Sequence, residues 1–536
     1  MVERVSVLDT TLRDGAQREG ISFSVKDKLR IAAKLDELGI AYIEGGWPGS
    51  NPKDAEFFAR AAQMHWQHAR IAAFGSTRRA DSTVEQDHNV QALIACGAPV
   101  AVLVGKSSPM HVTEVLRTTL DENLAMIHET VAHLKSRGLE VLFDAEHFFD
   151  GYRLDADYAL ATLRAAAEAG ADRLVLCDTN GGCLPSEVTR MVAAVTAAFS
   201  NRSIGIHAHD DTGVAVANTL AAVEAGADHV HGTMNGYGER CGNANLNTVI
   251  PNLELKMGIR ALANGDLSLL TQASSYVTEI ANLLPDPHAP YVGQSAFAHK
   301  AGLHVSAMLK NGEAYQHVRP ELVGNETRVL VSELAGRGNI AHKLAELDLG
   351  VELSAERVGA LATQVKERES NGYQYEGAEG SFELLIRRSQ PDYLAPFEVL
   401  DFLVLVEKRS GRDILSEATV KASVDGMTMH TAAEGDGPVN ALDRAMRKAL
   451  LPFYPELGPV QLTDYKVRII DPKSATAAKT RVLIDASDGE QSWTTMGCSV
   501  NIIEASFEAL IDSLELPLLR RASARGIAEP ATTAAQ

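Results

Sequence analysis

Cysteine is scarce in this chain. There are five in 536 residues (Cys96, Cys177, Cys183, Cys241 and Cys498), an odd number, widely spread, with no C-x-x-C pair. That spacing excludes a disulfide framework and a zinc knuckle, and it points to a reducing, cytoplasmic compartment. Long apolar runs are also missing. No stretch approaches the ~20 residues of a membrane helix, and no basic-then-apolar leader precedes the first apolar segment at Val5, so neither a membrane nor secretion is expected. Runs of Lys and Arg are absent too: 50 basic residues stand against 70 acidic ones, for a formal net charge of -20. Nucleic acid is therefore not expected as a partner, and an anionic substrate would have to be held by locally placed arginines.

What the chain does have is length, 45% hydrophobic residues, and a repeat. The length requires more than one domain. Up to about residue 260 an Ala/Leu-rich helix, a Gly in its last turn and a short apolar strand ending in polar residues recur. The strands are expected at Val5–Leu8, Ala41–Ile43, Arg70–Ala73, Val100–Val104, Glu140–Phe143, Arg173–Leu176, Ser203–Ile206 and His229–Gly232. Their starts lie roughly 25–40 residues apart, the length of one βα unit. An open doubly wound sheet would give the same alternation, but it would not require eight consecutive units. The near-copies Ala169-Gly170-Ala171-Asp172 and Ala225-Gly226-Ala227-Asp228 favour a repeating architecture. The expectation is a (β/α)8 TIM barrel.

In such a barrel the chemistry sits at the carboxyl ends of the strands. Those ends carry Asp9, Arg13 and Asp14; Glu44; Ser76 and Thr77; Lys106; Asp144, Glu146 and His147; Asp178, Thr179 and Asn180; His207 and His209; Thr233 and Asn235. His207 and His209 are two apart at the end of an extended strand, so they point the same way. Two imidazoles alone could be hydrogen-bonded filler. With the carboxylate of Asp14 they make a donor set suited to a divalent ion that keeps positions open for substrate. After the eighth strand, Asn243 in a glycine-rich loop offers a further amide oxygen.

The runs Asp9-Thr10-Thr11-Leu12-Arg13-Asp14-Gly15-Ala16-Gln17, His207-Ala208-His209 and Gly238-Glu239-Arg240-Cys241-Gly242-Asn243 resemble the 2-isopropylmalate, homocitrate and citramalate synthase family, metal-dependent acyltransferases related to acyl-CoA lyases. The likeness spans essentially the whole chain. Glu44 to Asp54 and Phe143 to Tyr152 are most similar to the longer citramalate-forming members. The run Asp210-Asp211-Thr212-Gly213 departs from the Asn-Asp-Leu-Gly that usually follows the histidines in the isopropylmalate branch.

The resemblance implies a Claisen-type condensation of acetyl-CoA with pyruvate, giving citramalate and CoA and opening a route to isoleucine. Asp14, His207, His209 and Asn243 would hold the cation, with Mg or Mn favoured by ligand hardness and Co or Zn admissible. Arg13 would bind substrate and stabilise a developing oxyanion, with Glu44 orienting it. Thr179 would bond the oxo acid carboxylate, and Glu146 would serve as base or organise the base. His304 and Tyr315, beyond the barrel, would assist proton transfer or thioester hydrolysis. The alternatives are 2-isopropylmalate or homocitrate synthesis, acyl-CoA cleavage by a lyase, and a metabolite sensor acting through the C-terminal region.

Past the barrel, expected over 1–265, the βα period is lost. Residues 266–385 read as helical linker subdomains, broken by the proline-dense Pro285-Asp286-Pro287-His288-Ala289-Pro290. Residues 386–520 contain a duplication: Gly437-Pro438-Val439-Asn440 aligns with Cys498-Ser499-Val500-Asn501, and the strand-like Phe402–Val406 and Lys479–Ile484 precede them. A pseudo-twofold α+β domain is expected. The resemblance gives it homodimerisation and binding of a branched-chain amino-acid effector. The Ala/Ser/Thr-rich tail 521–536 reads as disordered.

Overall fold

The computed structural model describes residues 2–300, 304, 307–308, 310–330, 340, 343–344, 354–408, 410–411, 413–470 and 478–528. Eight parallel strands close into a barrel in sequence order: β1 (Ser6–Asp9), β2 (Tyr42–Gly46), β3 (Arg70–Ser76), β4 (Val100–Lys106), β5 (Glu140–Glu146), β6 (Arg173–Asp178), β7 (Ser203–Ala208) and β8 (His229–Gly232). The seam is a full ladder, with Ser6 opposite His229 and Asp9 opposite Gly232. Helices packed outside bury Ile31, Leu35, Phe57, Leu93, Ile127, Leu163 and Val188 against the strands. The first of them, Val25–Leu38, shows the local signals at work. Ser24 and Asp27 exchange hydrogen bonds as a capping box, and Gly39 ends the helix at φ 91°, a conformation cheap only for glycine.

Seven of the eight strands run past the apolar stretch that marks them in the sequence. Lys106 still pairs with Glu146 and Asp178 with Ala208, because the ladder is made by the backbone and polar side chains do not end it. Much of the polar ring is therefore carried on strand ends rather than on free loops.

The chain divides into two compact units, Met1–Phe297 with Gln316–Thr327, and Ala298–Tyr315 with Arg328–Gln536. These limits differ from the expected 265 and 385. Helix Leu270–Ile280 buries Leu270, Ala273 and Val277 in the barrel's own core. Helices Ala355–Ser370 and Glu379–Arg388 instead bury Leu361, Val365 and Phe382 with Met496 in the second unit. The helical linker region is thus shared out by burial.

In the second unit two three-stranded antiparallel sheets are each followed by a helix. Strands Glu398–Glu407, Leu415–Val424 and Met427–Gly435 lead to helix Pro438–Leu450, and strands Gln461–Ile469, Thr480–Ser487 and Ser492–Ser499 lead to helix Ile502–Ala528. The duplication is real in the backbone, but the two strand segments quoted from the sequence are not equivalent. Phe402–Val406 lies in the first strand of its sheet and Lys479–Ile484 falls on the second of its own. The final helix reaches Ala528, beyond the expected start of a disordered tail at 521; residues 529–536 lie outside the described residues. Among the described residues no helix is long and apolar enough to cross a membrane.

Candidate active site

After β1 the chain folds back on itself. Thr10 N donates to Gly232 O at 2.9 Å and Gly15 N to Thr10 O at 3.0 Å, a tight turn that aims Asp14 across the mouth. Opposite stand His207, near the end of β7, and His209 just beyond it, their rings facing the same way with centroids 5.3 Å apart. Asp14 Oδ2 lies 3.7 Å from His207 Nε2 and 3.9 Å from His209 Nε2. All three residues are buried.

Asn243 completes the group. Its Nδ2 donates to Asp14 Oδ1 at 2.9 Å and to Tyr237 O at 3.1 Å, which fixes the amide orientation and turns Oδ1 towards His207 Nε2, 2.9 Å away. The glycines of this loop are obligatory. Gly242 sits at φ 98°, and a Cβ there would strike the Gly236 carbonyl oxygen; one on Gly238 would strike Asn243 Nδ2.

Electrostatics sets these groups for a cation. Burial alone would raise the Asp14 pKa, but the Arg13 guanidinium, both imidazoles and the Asn243 amide hold it down to about 2. Burial pushes His207 down to about 3 and lowers His209 as well. A carboxylate and two neutral imidazoles are the protonation states that metal binding requires. The donor atoms of Asp14, His207 and His209 lie within 4.8 Å of one another. With His207 Nε2 unprotonated, its lone pair faces that of Asn243 Oδ1, a clash that a shared cation relieves. The donor set fits a divalent ion.

Arg13 is clamped rather than free. Its Nε donates to Glu44 Oε2 at 2.7 Å and one terminal nitrogen to Asp14 Oδ2 at 2.9 Å, while the guanidinium lies 4.0 Å from the centre of the Phe74 ring. Burial works against its charge, but Glu44 and Asp14 outweigh that and keep it a cation. Glu44 on β2 is fully buried and also accepts from the Thr10 hydroxyl at 2.5 Å.

On the next side of the mouth, Thr179 Oγ1 accepts from His147 N at 2.9 Å, which leaves its hydroxyl hydrogen for another acceptor. His147 is held at φ 58° to make that bond. Arg240 donates to Thr179 O at 2.8 Å and pairs with Asp211. Asp210 caps the following helix by accepting from Ala215 N at 2.8 Å. The Asp-Asp-Thr-Gly run is thus structural in its first member and a tether for Arg240 in its second. Glu146 is ion-paired with Lys106 across the β4–β5 ladder.

A cavity of about 780 Å3 opens over this floor, lined among others by Arg13, Asp14, Glu146, Thr179 and His209. His304 and Tyr315 belong to the second unit, where their rings stack with centroids 4.1 Å apart and Tyr315 is half exposed.

Three family models cover the chain: HMGL-like over residues 4–277, the homocitrate synthase post-HMGL domain-like model over 291–372, and the LeuA allosteric (dimerisation) domain over 376–518. An (R)-citramalate synthase of Aquifex aeolicus is 52% identical over 97% of this chain and 99% of its own length, and one of Streptomyces coelicolor is 54% identical over 96% of each. The chain belongs to the (R)-citramalate synthase family. A probable 2-isopropylmalate synthase of Methanopyrus kandleri shares only 34% identity over 97% of the chain.

Within this citramalate synthase fold the structure brings together Arg13, Asp14, Glu44, Glu146, Thr179, His207, His209 and Asn243 at one mouth. Sequence reasoning missed the Lys106–Glu146 pair, whose signal was the register of neighbouring strands. It also missed His229 and His231, which lie inside the barrel below His207 and were read only as part of an apolar strand.

Proposed function

We propose that this chain condenses acetyl-CoA with pyruvate to give (R)-citramalate and CoA. The observation that carries the reading is the mouth itself: a cation-ready Asp14, His207, His209 and Asn243 set beside a clamped Arg13, in a chain about half identical to citramalate synthases along nearly its full length. When bound, the divalent cation supplies Lewis acidity at the oxo acid carbonyl.

The residues do the rest. Thr179 donates its free hydroxyl hydrogen to the pyruvate carboxylate. Glu146, kept in place by Lys106, takes a proton from the acetyl methyl group or organises the base that does. As the new carbon–carbon bond forms at pyruvate C2, negative charge gathers on oxygen, and the buried Arg13 cation meets it. The resulting alkoxide takes up a proton, water adds to the thioester carbonyl and the CoA thiol leaves; His304 and Tyr315 assist these last steps.

Arginine placement supports an anionic cofactor despite the acidic chain, because Arg78, Arg79, Arg117 and Arg240 line the same cavity. Outer residues of the second unit support a homodimer. Leu400, Leu403 and Leu405 on one sheet's first strand and Val467 and Ile469 on the other's are exposed at 44–67%, an apolar surface that matching copies can cover. The same unit is our site for a branched-chain amino-acid effector, and a cytoplasmic setting in isoleucine synthesis fits the free cysteines.

The test is release of free thiol from acetyl-CoA with pyruvate, 2-oxoisovalerate or 2-oxoglutarate in turn. Pyruvate should be preferred by at least an order of magnitude. A preference for 2-oxoisovalerate would overturn the assignment, as would cleavage of hydroxymethylglutaryl-CoA without condensation.

A further inference from the structure

Beneath the metal centre lie two histidines that the proposed chemistry does not use. His207 Nδ1, the ring nitrogen turned away from Asn243, lies 3.3 Å from His231 Nδ1, and His231 Nε2 lies 2.9 Å from His229 Nε2. His229 and His231 are two apart on β8, so both point into the barrel, where they are 0% and 1% exposed. The filling of such a barrel is ordinarily branched and apolar, and a buried imidazole is costly unless its N–H and lone pair are both satisfied.

Counting protons along this chain of rings gives two patterns. A neutral imidazole has one N–H and one lone pair. If His207 Nε2 offers its lone pair to a cation, its proton sits on Nδ1 and must be accepted by His231 Nδ1. His231 then carries its proton on Nε2 and gives it to His229 Nε2. The reverse pattern puts a proton on His207 Nε2, pointing at Asn243 Oδ1, and removes that nitrogen from the donor set.

We propose that His231, backed by His229, is a positioning residue that holds His207 in the tautomer able to ligate the cation. The inference rests on the metal reading above. The ring contacts carry this by geometry, since His231 turns Nδ1 to His207 and Nε2 to His229. Asp144 Oδ1 stands 3.9 Å from His231 Nδ1, too far for a hydrogen bond that would compete with His207 for that nitrogen.

The experiment is calorimetric titration of the metal-free protein with Mn2+, alongside thermal melts. His231→Gln keeps an acceptor for His207 and a donor for His229, and should bind within a few-fold of the native chain. His231→Phe keeps volume and removes both, and should bind about 10–100-fold more weakly. His229→Phe leaves His231 Nε2 without an acceptor and should weaken binding several-fold, which keeps the test alive if His231→Phe does not fold. Native protein that binds no Mn2+ would overturn the metal reading itself. Native binding with undiminished affinity in folded His231→Phe or His229→Phe would overturn this inference alone. So would two ions per native chain falling to one in His231→Phe at unchanged affinity, since Asp144, His207 and His231 would then be a second site.

Discussion

Asp14 spends one oxygen on the Asn243 amide and shares the other between Arg13 and the two imidazoles. Asp14→Asn keeps the shape and removes the charge. It should abolish detectable Mn2+ binding and lower kcat/KM for condensation by on the order of 10^3, the several kcal/mol that a Lewis-acid centre supplies. Thr179 makes a subtler prediction. Its hydroxyl is prepared as a donor by the His147 amide, so Thr179→Ala should raise the KM for pyruvate about tenfold, the worth of a hydrogen bond to a charged group, and Thr179→Ser should restore it. Initial-rate kinetics at saturating acetyl-CoA checks both.

Asp9 carries a pH signature. Burial, opposed by bonds from Thr11, lifts its pKa to about 7. A carboxyl raised on folding is protonated more readily in the folded than in the unfolded state. Its contribution to stability is therefore present at low pH and is lost as pH climbs from about 4, the unfolded value, to about 7. The loss is on the order of a few kcal/mol. Asp9→Asn should show a smaller fall in melting temperature between pH 5 and pH 8 than the native chain.

At this scale the sequence reveals much of the site, because His207 and His209 share a face by strand periodicity and Asp14 follows a strand of the same repeat. It conceals the pairing of Lys106 with Glu146 and the place of His231, since one depends on which strands are neighbours and the other on the inside of a closed barrel.

At the scale of elements, the loop from Gly236 to Asn243 does for Asn243 what a strand does for His207. It is pinned by Asn243 N donating to Gly236 O at 3.2 Å and Ala244 N to Ala208 O at 3.0 Å. Gly242→Ala places a side chain at φ 98° against a carbonyl. It should cost at least about 1 kcal/mol and weaken Mn2+ binding together with stability, as read by melting and titration. The eight strands were legible because an apolar run recurs at the βα spacing, in most cases just after a helix that ends in a glycine. Their carboxyl ends were not, because Lys106, Glu146 and Asp178 look like loop residues until the neighbouring backbone is known to continue the ladder.

For the whole molecule, the duplication at a 61-residue offset announced two similar halves, and two sheets with their helices are what the second unit contains. Which strands correspond was not legible, since apolar character alone matched an outer strand with a central one. The apolar residues left on the outer strands predict that Leu403→Glu combined with Ile469→Glu turns a dimer into a monomer in sedimentation equilibrium. A chain still dimeric would place the contact elsewhere.

The central claim is that one cation, gripped by the carboxylate in the turn after the first strand and by the imidazoles at the end of the seventh, organises the condensation. A crystal of the protein soaked with Mn2+ and pyruvate tests it by anomalous scattering. The account predicts a single peak within coordinating distance of Asp14, His207 and His209, with the pyruvate carboxylate against the Thr179 hydroxyl. A peak at any other place, or pyruvate bound away from Thr179, would contradict it.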